Sequence, residues 1–512
     1  MDRREKLQDL LSASARAHSN HTAVIEPGGV TIPYRDLDEQ SSRIAELLQR
    51  QGVRPGDRVG VHAPKSIGTV ASIFGVLKAG AAYVPVDPSA PTRRNLQILT
   101  DCAVKAVIAD ALRAERLRSE SETEMKVKGE LEGLRSWTPG LLVLEGAPAK
   151  AEDTSSDLAY ILYTSGSTGK PKGVMHTHSS ALGFVDWCSG EFAPSSEDRF
   201  SSHAPFHFDL SILDLYVPIR HGAAVLLIGE EIGKQPANLV RLISEHRLTV
   251  WYSTPSILRL LLEYGKLAEH DGSSLRLVLF AGEVFPLKFL KALRERWPDP
   301  RYYNLYGPTE TNVCTYYEVP AELPADSSQS LPIGWACSDD ELRIVDPQGN
   351  EVQAGEEGEL HVWGGSVTTG YWNRPEQTRQ AFHEDAAGRK WYRTGDVVVD
   401  DGQGLLRFLG RRDRMVKRRG YRVELGEIES ALYRHPQIKE AAAVALADGE
   451  NGVLIKAFLS WSGETAPTTV ELKQFCASNL PLYMVPDRFR ILADLPKTST
   501  DKIDYQTLAG ME

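Results

Sequence analysis

Short apolar segments of strand length alternate with amphipathic helical segments along most of this chain. The strand-like segments are RVGVHAP (58–64), AVIAD (106–110), AAVLLI (223–228), LTVWYS (248–253) and LRLVLFAG (275–282). Helix-period segments between them include LVRLISEH (239–246) and PLKFLKALRERW (286–297). Because parallel strands joined by helices produce this alternation, we expect an α/β fold with largely parallel sheets.

The pattern changes in the last third of the chain. After Gly358 come short β segments with glycine-rich turns (GELHVWG, YRTGDVVV and LLRFLGRRD), and from about Arg414 a compact α+β unit follows. That unit contains the helical segment VELGEIESALYRH (423–435) and the strand-like AAAVALA. We therefore predict a large N-terminal domain of parallel and mixed sheets with helices, residues 1–412, with a β-rich part from about residue 330. A small α+β C-terminal lid domain, residues 413–512, is expected to follow. The basic segment GRRDRMVKRRG (410–420) between them is typical of a solvated linker.

Composition narrows the class of protein. Of the 512 residues, 42% are hydrophobic and 25% are charged, which is an ordinary globular balance. A chain of this length is too long for a single hydrophobic core and is expected to form more than one domain. The formal charge of −11 argues against a nucleic-acid or anionic-membrane partner. The first residues lack the apolar core of a secretory signal, and no apolar run is long enough to span a bilayer. Five scattered cysteines without C-x-x-C spacing argue against disulfides or zinc, so we expect a cytoplasmic protein. His176 and His178 are expected to be exposed turn residues rather than metal ligands.

The segment YILYTSGSTGKPKGV (160–174) joins a buried strand, expected over 159–163, to a loop of small and hydroxylated residues. Its glycines allow the backbone to approach a ligand closely, and backbone N–H groups, hydroxyls and lysines suit a polyphosphate. The spacing is not that of a Walker P-loop, because Lys170 is followed by Pro171. The alternative is a flexible solvated loop. The phosphate-binding candidates are Thr164, Ser165, Gly166, Ser167, Thr168, Gly169 and Lys170.

Two later segments offer groups for a nucleotide. In NLYGPTETN (304–312), Tyr306 is placed to stack on a purine, Asn304 to hydrogen-bond its edge, and Glu310, beside Thr309, to bind Mg²⁺. In YRTGD (392–396), Asp396 is placed to accept hydrogen bonds from both ribose hydroxyls. The alternatives are a common turn with a surface charge for the first segment and a turn-forming aspartate for the second.

Taken in order, these segments resemble the motifs of the adenylate-forming superfamily, which includes acyl-CoA synthetases, luciferases and peptide-synthetase adenylation domains. The resemblance extends from residue 159 to residue 505 and implies ATP and Mg²⁺ as cofactors. It implies that Thr164 and Glu310 hold the metal, that Arg411 is a second ribose or phosphate contact, and that Gly282, Glu283, Leu305 and Gly307 belong to the ATP site.

The same resemblance implies a mobile lid. Asp413 matches the family's hinge, and Lys502 in LPKTSTDKIDY (495–505) matches a lysine that binds the substrate carboxylate and the α-phosphate. With Lys170, Thr164 and Glu310, Lys502 forms the expected catalytic set. In the rotated state of the lid, RGYRVELGEIE (419–429) faces the site and a tunnel opens for a thiol acceptor. The chain departs from the family pattern by having Thr500-Asp501 before the lysine where Asn-Gly is usual.

The segment PFHFDLSILDLY (205–216) carries the substrate signal. In amino-acid-activating members of the family, the acid after the aromatic pair binds the substrate's α-amino group, and here it is Asp209. An unpaired buried carboxylate beside an uncharged substrate costs several kcal/mol, which favours a cationic amino acid. The alternative is an aspartate that caps the helix expected from DLSILDLY. The specificity pocket implied by the resemblance comprises Asp209, Leu210, Leu213, Tyr252, Leu279, Ala281, Leu305, Val313, Cys314 and Lys502.

That pocket is apolar and bulky between its charged ends, so it rejects polar side chains and predicts a small substrate. From the residues alone proline, valine, alanine and small cyclic analogues stay open. The ordered set resembles stand-alone prolyl-adenylating enzymes of pyoluteorin- and prodigiosin-type pyrrole pathways. That resemblance implies activation of L-proline and transfer to the phosphopantetheine thiol of a carrier protein.

No carrier domain follows Lys502 and no condensation domain precedes Met1, so we expect a separate carrier protein in trans. Three alternatives remain: an enzyme for another small amino acid such as D-alanine, an acyl-CoA synthetase, and a non-enzymatic ATP-binding regulator.

Overall fold

The computed structural model describes residues 5–121, 127–130, 141–145, 157–164, 171–323, 331–337, 339–411, 415–449, 452–463, 465–497 and 503–511. Its helices are α1 (Leu7–Ala17), α2 (Tyr34–Arg50), α3 (Ile67–Lys78), α4 (Thr92–Asp101), α5 (Ala111–Glu120), α6 (His178–Phe192), α7 (Ser211–Arg220), α8 (Glu230–Gly233), α9 (Pro236–Glu245), α10 (Pro255–Tyr264), α11 (Leu287–Arg296), α12 (Pro375–Ala381), α13 (Leu425–Leu432), α14 (Thr469–Ala477) and α15 (Tyr505–Ala509).

Its strands are β1 (Thr22–Ile25), β2 (Thr31–Pro33), β3 (Arg58–His62), β4 (Ala82–Pro85), β5 (Ala106–Asp110), β6 (Val127–Glu130), β7 (Leu141–Glu145), β8 (Leu158–Thr164), β9 (Lys172–Thr177), β10 (Arg199–Ser202), β11 (Ala224–Leu227), β12 (Val250–Ser253), β13 (Leu277–Ala281), β14 (Arg301–Tyr306), β15 (Thr315–Glu318), β16 (Trp335–Ala336), β17 (Glu341–Val345), β18 (Glu357–Trp363), β19 (Gly370–Tyr371), β20 (Phe382–Glu384), β21 (Lys390–Asp400), β22 (Leu406–Arg411), β23 (Met415–Arg418), β24 (Tyr421–Glu424), β25 (Ile438–Ala447), β26 (Val453–Trp461) and β27 (Arg488–Leu492).

Two large mixed sheets dominate the N-terminal part. Among the described residues, one has the order β16-β15-β14-β13-β12-β10-β11-β1-β2 and the other β19-β9-β8-β4-β3-β5-β7-β6. The centres of both sheets, β14 to β1 and β8 to β5, are parallel. Strands β17, β18, β20, β21 and β22 form a smaller antiparallel sheet. The predicted α/β class with large mixed sheets and a small β part is confirmed.

The largest hydrophobic core joins helices to the two large sheets. Phe74 of α3, Val185 of α6 and Tyr216 of α7 are fully buried there, together with Tyr160 of β8 and Leu279 of β13. Each large apolar side chain buried in this way contributes roughly 1.5–3 kcal/mol to stability. The helices therefore fix the two sheets relative to each other.

The C-terminal part is small and has its own core. Strands β25, β26 and β27 form one sheet, and β23 pairs with β24 in a hairpin. The buried side chains of Ile428, Ile455 and Leu472 pack together against that sheet. The prediction of a small α+β C-terminal domain after a large N-terminal part is therefore confirmed. No helix in the described ranges is long and apolar enough to cross a membrane.

Two predictions for the segment at this junction are wrong. The helix expected over 423–435 begins only at Leu425, because residues 421–424 pair as strand β24 with β23. The described residues of 410–420 also do not form a solvated linker, since Met415 and Arg418 are buried in the hairpin.

The two histidines of β9 and α6 are also not exposed turn residues. His176 is fully buried within β9, where its ring stacks on Tyr160 and its Nε2 contacts the Thr309 carbonyl oxygen at 2.8 Å. His178 is the first residue of α6 and is 2% exposed. Burial lowers the pKa of both imidazoles to about 4, so both are neutral and structural. The described residues contain no cluster of metal-ligating side chains.

Candidate active site

A cavity opens where parallel strands of the larger sheet end, and its empty space, including the solvent at its open mouth, is about 650 Å³. Tyr252 near the end of β12, Ala281 and Gly282 at the end of β13, and Gly307 after β14 lie on its wall. Ligand sites of open α/β sheets lie at this carboxyl edge, because the strand ends leave room between diverging loops. The remaining lining residues are Phe184, Phe208, Asp209, Leu210, Pro308, Thr309, Asn312, Val313, Asp396, Arg411, Met415, Lys417, Gly420 and Arg422.

One end of the cavity combines a carboxylate with apolar walls. Asp209 precedes α7, and its Oδ2 accepts a hydrogen bond from Thr309 Oγ1 at 2.5 Å. Burial raises the pKa of Asp209, because its ionised form is removed from water without a full charge partner. The aromatic rings of Phe184 and Phe208 enclose this end. A small apolar molecule with one ammonium group matches both features.

The apolar residues expected to form this pocket separate into two layers. Leu210, Tyr252, Ala281 and Val313 line the cavity together with Asp209. Leu213, Leu279, Leu305 and Cys314 are almost completely buried and do not appear on the cavity surface. They form the layer behind the wall and keep its position fixed by close packing.

Charged groups converge on Asp396 at another part of the cavity. Its carboxylate accepts hydrogen bonds from the Tyr306 hydroxyl and from Arg411 Nη1. Asp396 is 1% exposed, so these partners compensate a carboxylate that is otherwise removed from water. The Asn304 side chain donates instead to the carbonyl oxygen of Pro332 at 2.8 Å. Gly282, Gly307 and Thr309 provide backbone at the same cavity, as expected for a nucleotide site.

Glu310 is the most strongly engaged carboxylate of the site. It is fully buried, and Arg422 Nη1 lies 3.1 Å from each of its oxygens. Lys172 Nζ lies 3.2 Å from Oε1, and the Tyr371 hydroxyl donates to the same oxygen at 2.7 Å. Although burial opposes ionisation, the charges of Arg422 and Lys172 hold the pKa of Glu310 well below its ordinary value.

The groups expected to hold a divalent metal fit that ion chemically. Thr164 ends β8 opposite Lys172 of β9, and its Oγ1 is buried with no hydrogen-bond partner among the described residues. Glu310 supplies a hard carboxylate oxygen nearby, since it contacts Lys172. Mg²⁺ is commonly held by one or two protein carboxylates plus substrate phosphates, so this sparse set is sufficient. The expected phosphate-binding residues Ser165, Gly166, Ser167, Thr168, Gly169 and Lys170 lie outside the described residues.

The β23–β24 hairpin of the C-terminal part reaches into the same cavity. Met415, Lys417, Gly420 and Arg422 line it, and the Gly420 N–H donates to Glu283 Oε1 at 2.6 Å. Gly420 has φ +80°, and a Cβ at this position lies 2.2 Å from Thr254 Cγ2, so glycine is required. The expectation that 419–429 faces the site matches this arrangement, whereas Asp413 and Lys502 lie outside the described residues.

Several residues of the site were not identified from the sequence. Phe184, Tyr371 and Lys417 all contact the cavity or Glu310. Lys417 is the clearest omission: it lies in a basic segment that suggested solvent, yet burial lowers its pKa and its Nζ is 5.3 Å from the Tyr306 ring centroid. The strand period of MVKR was the available signal, because it places Lys417 on the same face as the apolar Met415.

Comparisons with known proteins agree with this geometry. Residues 11–372 match the family model for AMP-binding enzymes, and residues 427–502 match the model for the C-terminal domain of AMP-binding enzymes. An L-proline--[L-prolyl-carrier protein] ligase of Pseudomonas fluorescens is 38% identical over 98% of both chains. The enzyme of the same name from Streptomyces coelicolor is 40% identical over 94% of this chain and 92% of its own.

A solved structure extends the similarity to three dimensions. The Vibrio cholerae adenylation domain AlmE, determined in complex with glycyl-adenosine-5'-phosphate, superposes with a TM-score of 0.81 at 26% identity. The alignment covers 98% of this chain and 97% of that one.

Proposed function

Because the chain belongs to the AMP-binding enzyme family, we propose that it activates L-proline with ATP and passes the prolyl group to a carrier protein. In the first half-reaction the proline carboxylate attacks the α-phosphorus of ATP, which forms prolyl-AMP and releases pyrophosphate. In the second, the phosphopantetheine thiol of a separate carrier protein loses its proton and attacks the prolyl carbonyl. A thioester forms and AMP leaves.

The observation that carries the choice of substrate is Asp209 in its apolar surroundings. A buried carboxylate whose hydrogen-bond partners, the Thr309 hydroxyl and the Leu210 backbone, are both neutral favours a ligand that brings a positive charge. The secondary ammonium of proline supplies that charge and two N–H donors. The rings of Phe184, Phe208 and Tyr252 line the cavity, and this apolar surface disfavours a polar substrate side chain.

Two relatives that cover nearly the whole chain carry the name L-proline--[L-prolyl-carrier protein] ligase, and this supports the same substrate and acceptor here. All five cysteines lie among the described residues, are buried and form no disulfide, which supports a reducing, cytoplasmic environment.

On this proposal, side chains on the cavity wall and residues of the phosphate loop hold the nucleotide. Asp396 accepts hydrogen bonds from the ribose, and Arg411 and the phosphate-loop residues 164–170 neutralise phosphate charge. Glu310 and Thr164 hold Mg²⁺, which supplies positive charge against the phosphates when it is bound. These residues act by positioning and electrostatic stabilisation, because no covalent bond to a side chain is needed.

Each half-reaction uses its own orientation of the C-terminal lid, which we assign to residues 413–512. In the adenylation orientation, rotation about Asp413 brings Lys502 to the substrate carboxylate and the α-phosphate. In the described orientation the hairpin with Lys417, Gly420 and Arg422 occupies the cavity wall instead. We assign this orientation to thioester formation, because the contacts of Arg422 with Glu310 take up the carboxylate that the metal needs.

Proline-dependent exchange of labelled pyrophosphate into ATP is the direct test. The panel contains L-proline, D-proline, D- and L-alanine, valine and pyrrole-2-carboxylate, each with Mg²⁺. Exchange dominated by L-proline is the expected result. Dominance of another amino acid, such as D-alanine, contradicts the substrate but keeps the reaction. Exchange with pyrrole-2-carboxylate, which has no basic amine, contradicts the role of Asp209 and favours an acyl-CoA synthetase.

A further inference from the structure

The loop between β14 and β15 carries an asparagine in a strained backbone conformation on the cavity wall. Asn312 has a φ of 54° and a ψ of −100°, which lies outside the left-handed region that asparagine tolerates, because ψ is positive there. The residue lines the cavity and is 5% exposed. Backbone of this kind costs free energy and persists only where the surrounding structure holds it. The contacts of Asn312 therefore indicate what the residue does.

The side chain of Asn312 is held by two strands of the other large sheet. Its Oδ1 accepts a hydrogen bond from the Tyr160 hydroxyl of β8 at 3.1 Å. Its Nδ2 lies 3.4 Å from Nδ1 of His176 in β9, an atom that also contacts the Ser180 hydroxyl at 3.2 Å. Tyr160 and His176 are both fully buried and their rings stack on each other, so their polar atoms have fixed positions. The strained turn is thus anchored from one large sheet to the other.

His176 holds the same turn at its other end. Its Nε2 lies 2.8 Å from the carbonyl oxygen of Thr309, which can only accept a hydrogen bond. The neutral ring therefore carries its proton on Nε2, and Nδ1 is an acceptor for the Asn312 amide. The backbone N–H of Asn312 reaches the same Thr309 oxygen at 3.4 Å. These contacts fix the orientation of Thr309, whose hydroxyl donates to Asp209 at 2.5 Å.

The other functional side chain of this loop has separate support. The carbonyl oxygen of Glu310 accepts a hydrogen bond from the Thr368 N–H at 2.7 Å. Its carboxylate contacts Lys172 and Tyr371 at 3.2 and 2.7 Å. Loss of the Asn312 contacts should therefore disturb the Asp209 end of the cavity and leave Glu310 in place.

We propose that Asn312 is a positioning residue for recognition of the substrate's ammonium group. Its bonds to Tyr160 and His176 hold the strained turn in which the Thr309 hydroxyl faces Asp209. Because that hydroxyl orients the carboxylate before the substrate arrives, less free energy is lost when the ammonium group binds. This inference rests on the proposed function, which assigns the amino group of the substrate to Asp209.

Tyr160→Phe is the sharpest test, because it removes only the hydroxyl that donates to Asn312. In pyrophosphate exchange, we expect the KM for L-proline to rise about three- to tenfold, while the KM for ATP stays within about twofold of wild type. Tyr83→Phe is the matched control, since Tyr83 of β4 is buried with its ring centroid 5.5 Å from that of Tyr160 and does not line the cavity. Both variants lose one buried hydroxyl, so the Tm measures general loss of stability. Only Tyr160→Phe should change the KM for proline.

A double-mutant cycle shows whether Asn312 acts through Thr309. Asn312→Ala removes both side-chain contacts and should raise the KM for proline about tenfold or more. Thr309→Val removes the hydroxyl that donates to Asp209 and should raise the same KM. In the Thr309→Val background, Asn312→Ala should add less than about twofold.

Four results overturn the proposal. An unchanged KM for proline in Tyr160→Phe and Asn312→Ala shows that the turn needs no such support. An equal rise in Tyr83→Phe assigns the effect to general loosening of the core. Equal rises of the KM values for proline and ATP show that the whole loop moves, including Glu310. Additive effects of Asn312→Ala and Thr309→Val show that Asn312 acts independently of Thr309.

Failure of the proposed substrate is a separate result, because the wild-type enzyme then lacks proline-dependent exchange. The same variants are then compared with whichever amino acid the wild-type enzyme activates.

Discussion

Replacing Arg422 by alanine tests whether prolyl transfer takes place in the described orientation, in which the β23–β24 hairpin lies against the active-site cavity. Arg422 is the only residue of the described C-terminal part that forms an ion pair with Glu310, with Nη1 at 3.1 Å from each carboxylate oxygen. In the proposed adenylation orientation the same residue would rotate away with the lid. The substitution should therefore destabilise one orientation and leave the other unchanged.

The size of the effect follows from burial and from the partners that remain. Removing one member of a buried ion pair commonly costs about 3–5 kcal/mol, because the other charge stays desolvated. Here Lys172 and Tyr371 continue to compensate Glu310, so the lower range of about 2–3 kcal/mol applies. That free energy corresponds to a population change of about 30- to 150-fold. Where the two orientations are equally populated in the wild-type enzyme, the population of the transfer orientation falls by about half this factor, roughly 15- to 75-fold, and the transfer rate falls with it.

Two assays separate the half-reactions. Pyrophosphate exchange reports adenylation and should stay within about twofold of wild type. Rapid-quench transfer from preformed prolyl-AMP to holo-carrier reports the second step and should show the loss. Arg488→Ala serves as the exposed-arginine control, and Arg422→Lys should recover part of the rate, because it keeps a charge but not the guanidinium geometry. Equal losses in both assays, or unimpaired transfer, would refute the assignment of this orientation.

Three further substitutions address separate parts of the site. Asp209→Asn should raise the KM for proline at least tenfold and abolish the pH dependence of this KM. In the wild-type enzyme, proline binding should weaken as the pH falls through the raised pKa of Asp209. Pyrophosphate exchange measured over a pH series tests both expectations. Because a raised pKa in the folded state means that ionised Asp209 opposes folding, the same variant should have an equal or higher Tm above that pKa, and the gain should vanish in acid. Lys502→Ala should slow pyrophosphate exchange by about 100-fold or more and affect transfer from preformed prolyl-AMP much less; equal losses contradict the lid assignment. Gly420→Ala places a Cβ against Thr254 at strained φ and should slow transfer while exchange continues; unchanged loading shows that the hairpin does not seat here.

The α/β class and many element positions were predictable, because strand and helix periods are local properties of the chain. The expected strands at 106–110 and 159–163 correspond to β5 and β8 within one residue. The sequence did not predict which residues of one strand face reach the cavity and which lie behind it. Leu279 and Ala281 point to the same face of β13, but only the residue at the strand end reaches the cavity, and Leu279 packs in the core behind it.

The misassigned residues share one physical cause, which is burial decided by distant parts of the chain. His176 carries no local sign of burial, yet β9 lies inside a sheet and the carbonyl oxygen of Thr309 reaches its ring. Lys417 and Arg422 lie in a run of basic residues that suggests solvent, and only the docking of the hairpin against the cavity buries them. Such pairings join residues more than a hundred positions apart, so no short sequence period encodes them.

Glu310 links the two orientations through a single carboxylate. On the proposed assignment it binds the metal during adenylation, whereas in the described arrangement Arg422, Lys172 and Tyr371 occupy its oxygens. Arg422 and a divalent ion compete for the same oxygens of Glu310. By thermodynamic linkage, each weakens the binding of the other by the same factor. Without a bound metal, Glu310 would be buried with only Lys172 and Tyr371 as partners, and Arg422 adds a second positive charge beside it. On the proposed assignment, completion of the first step would therefore favour the orientation of the second, and a substrate that is not adenylated would leave the hairpin without this advantage.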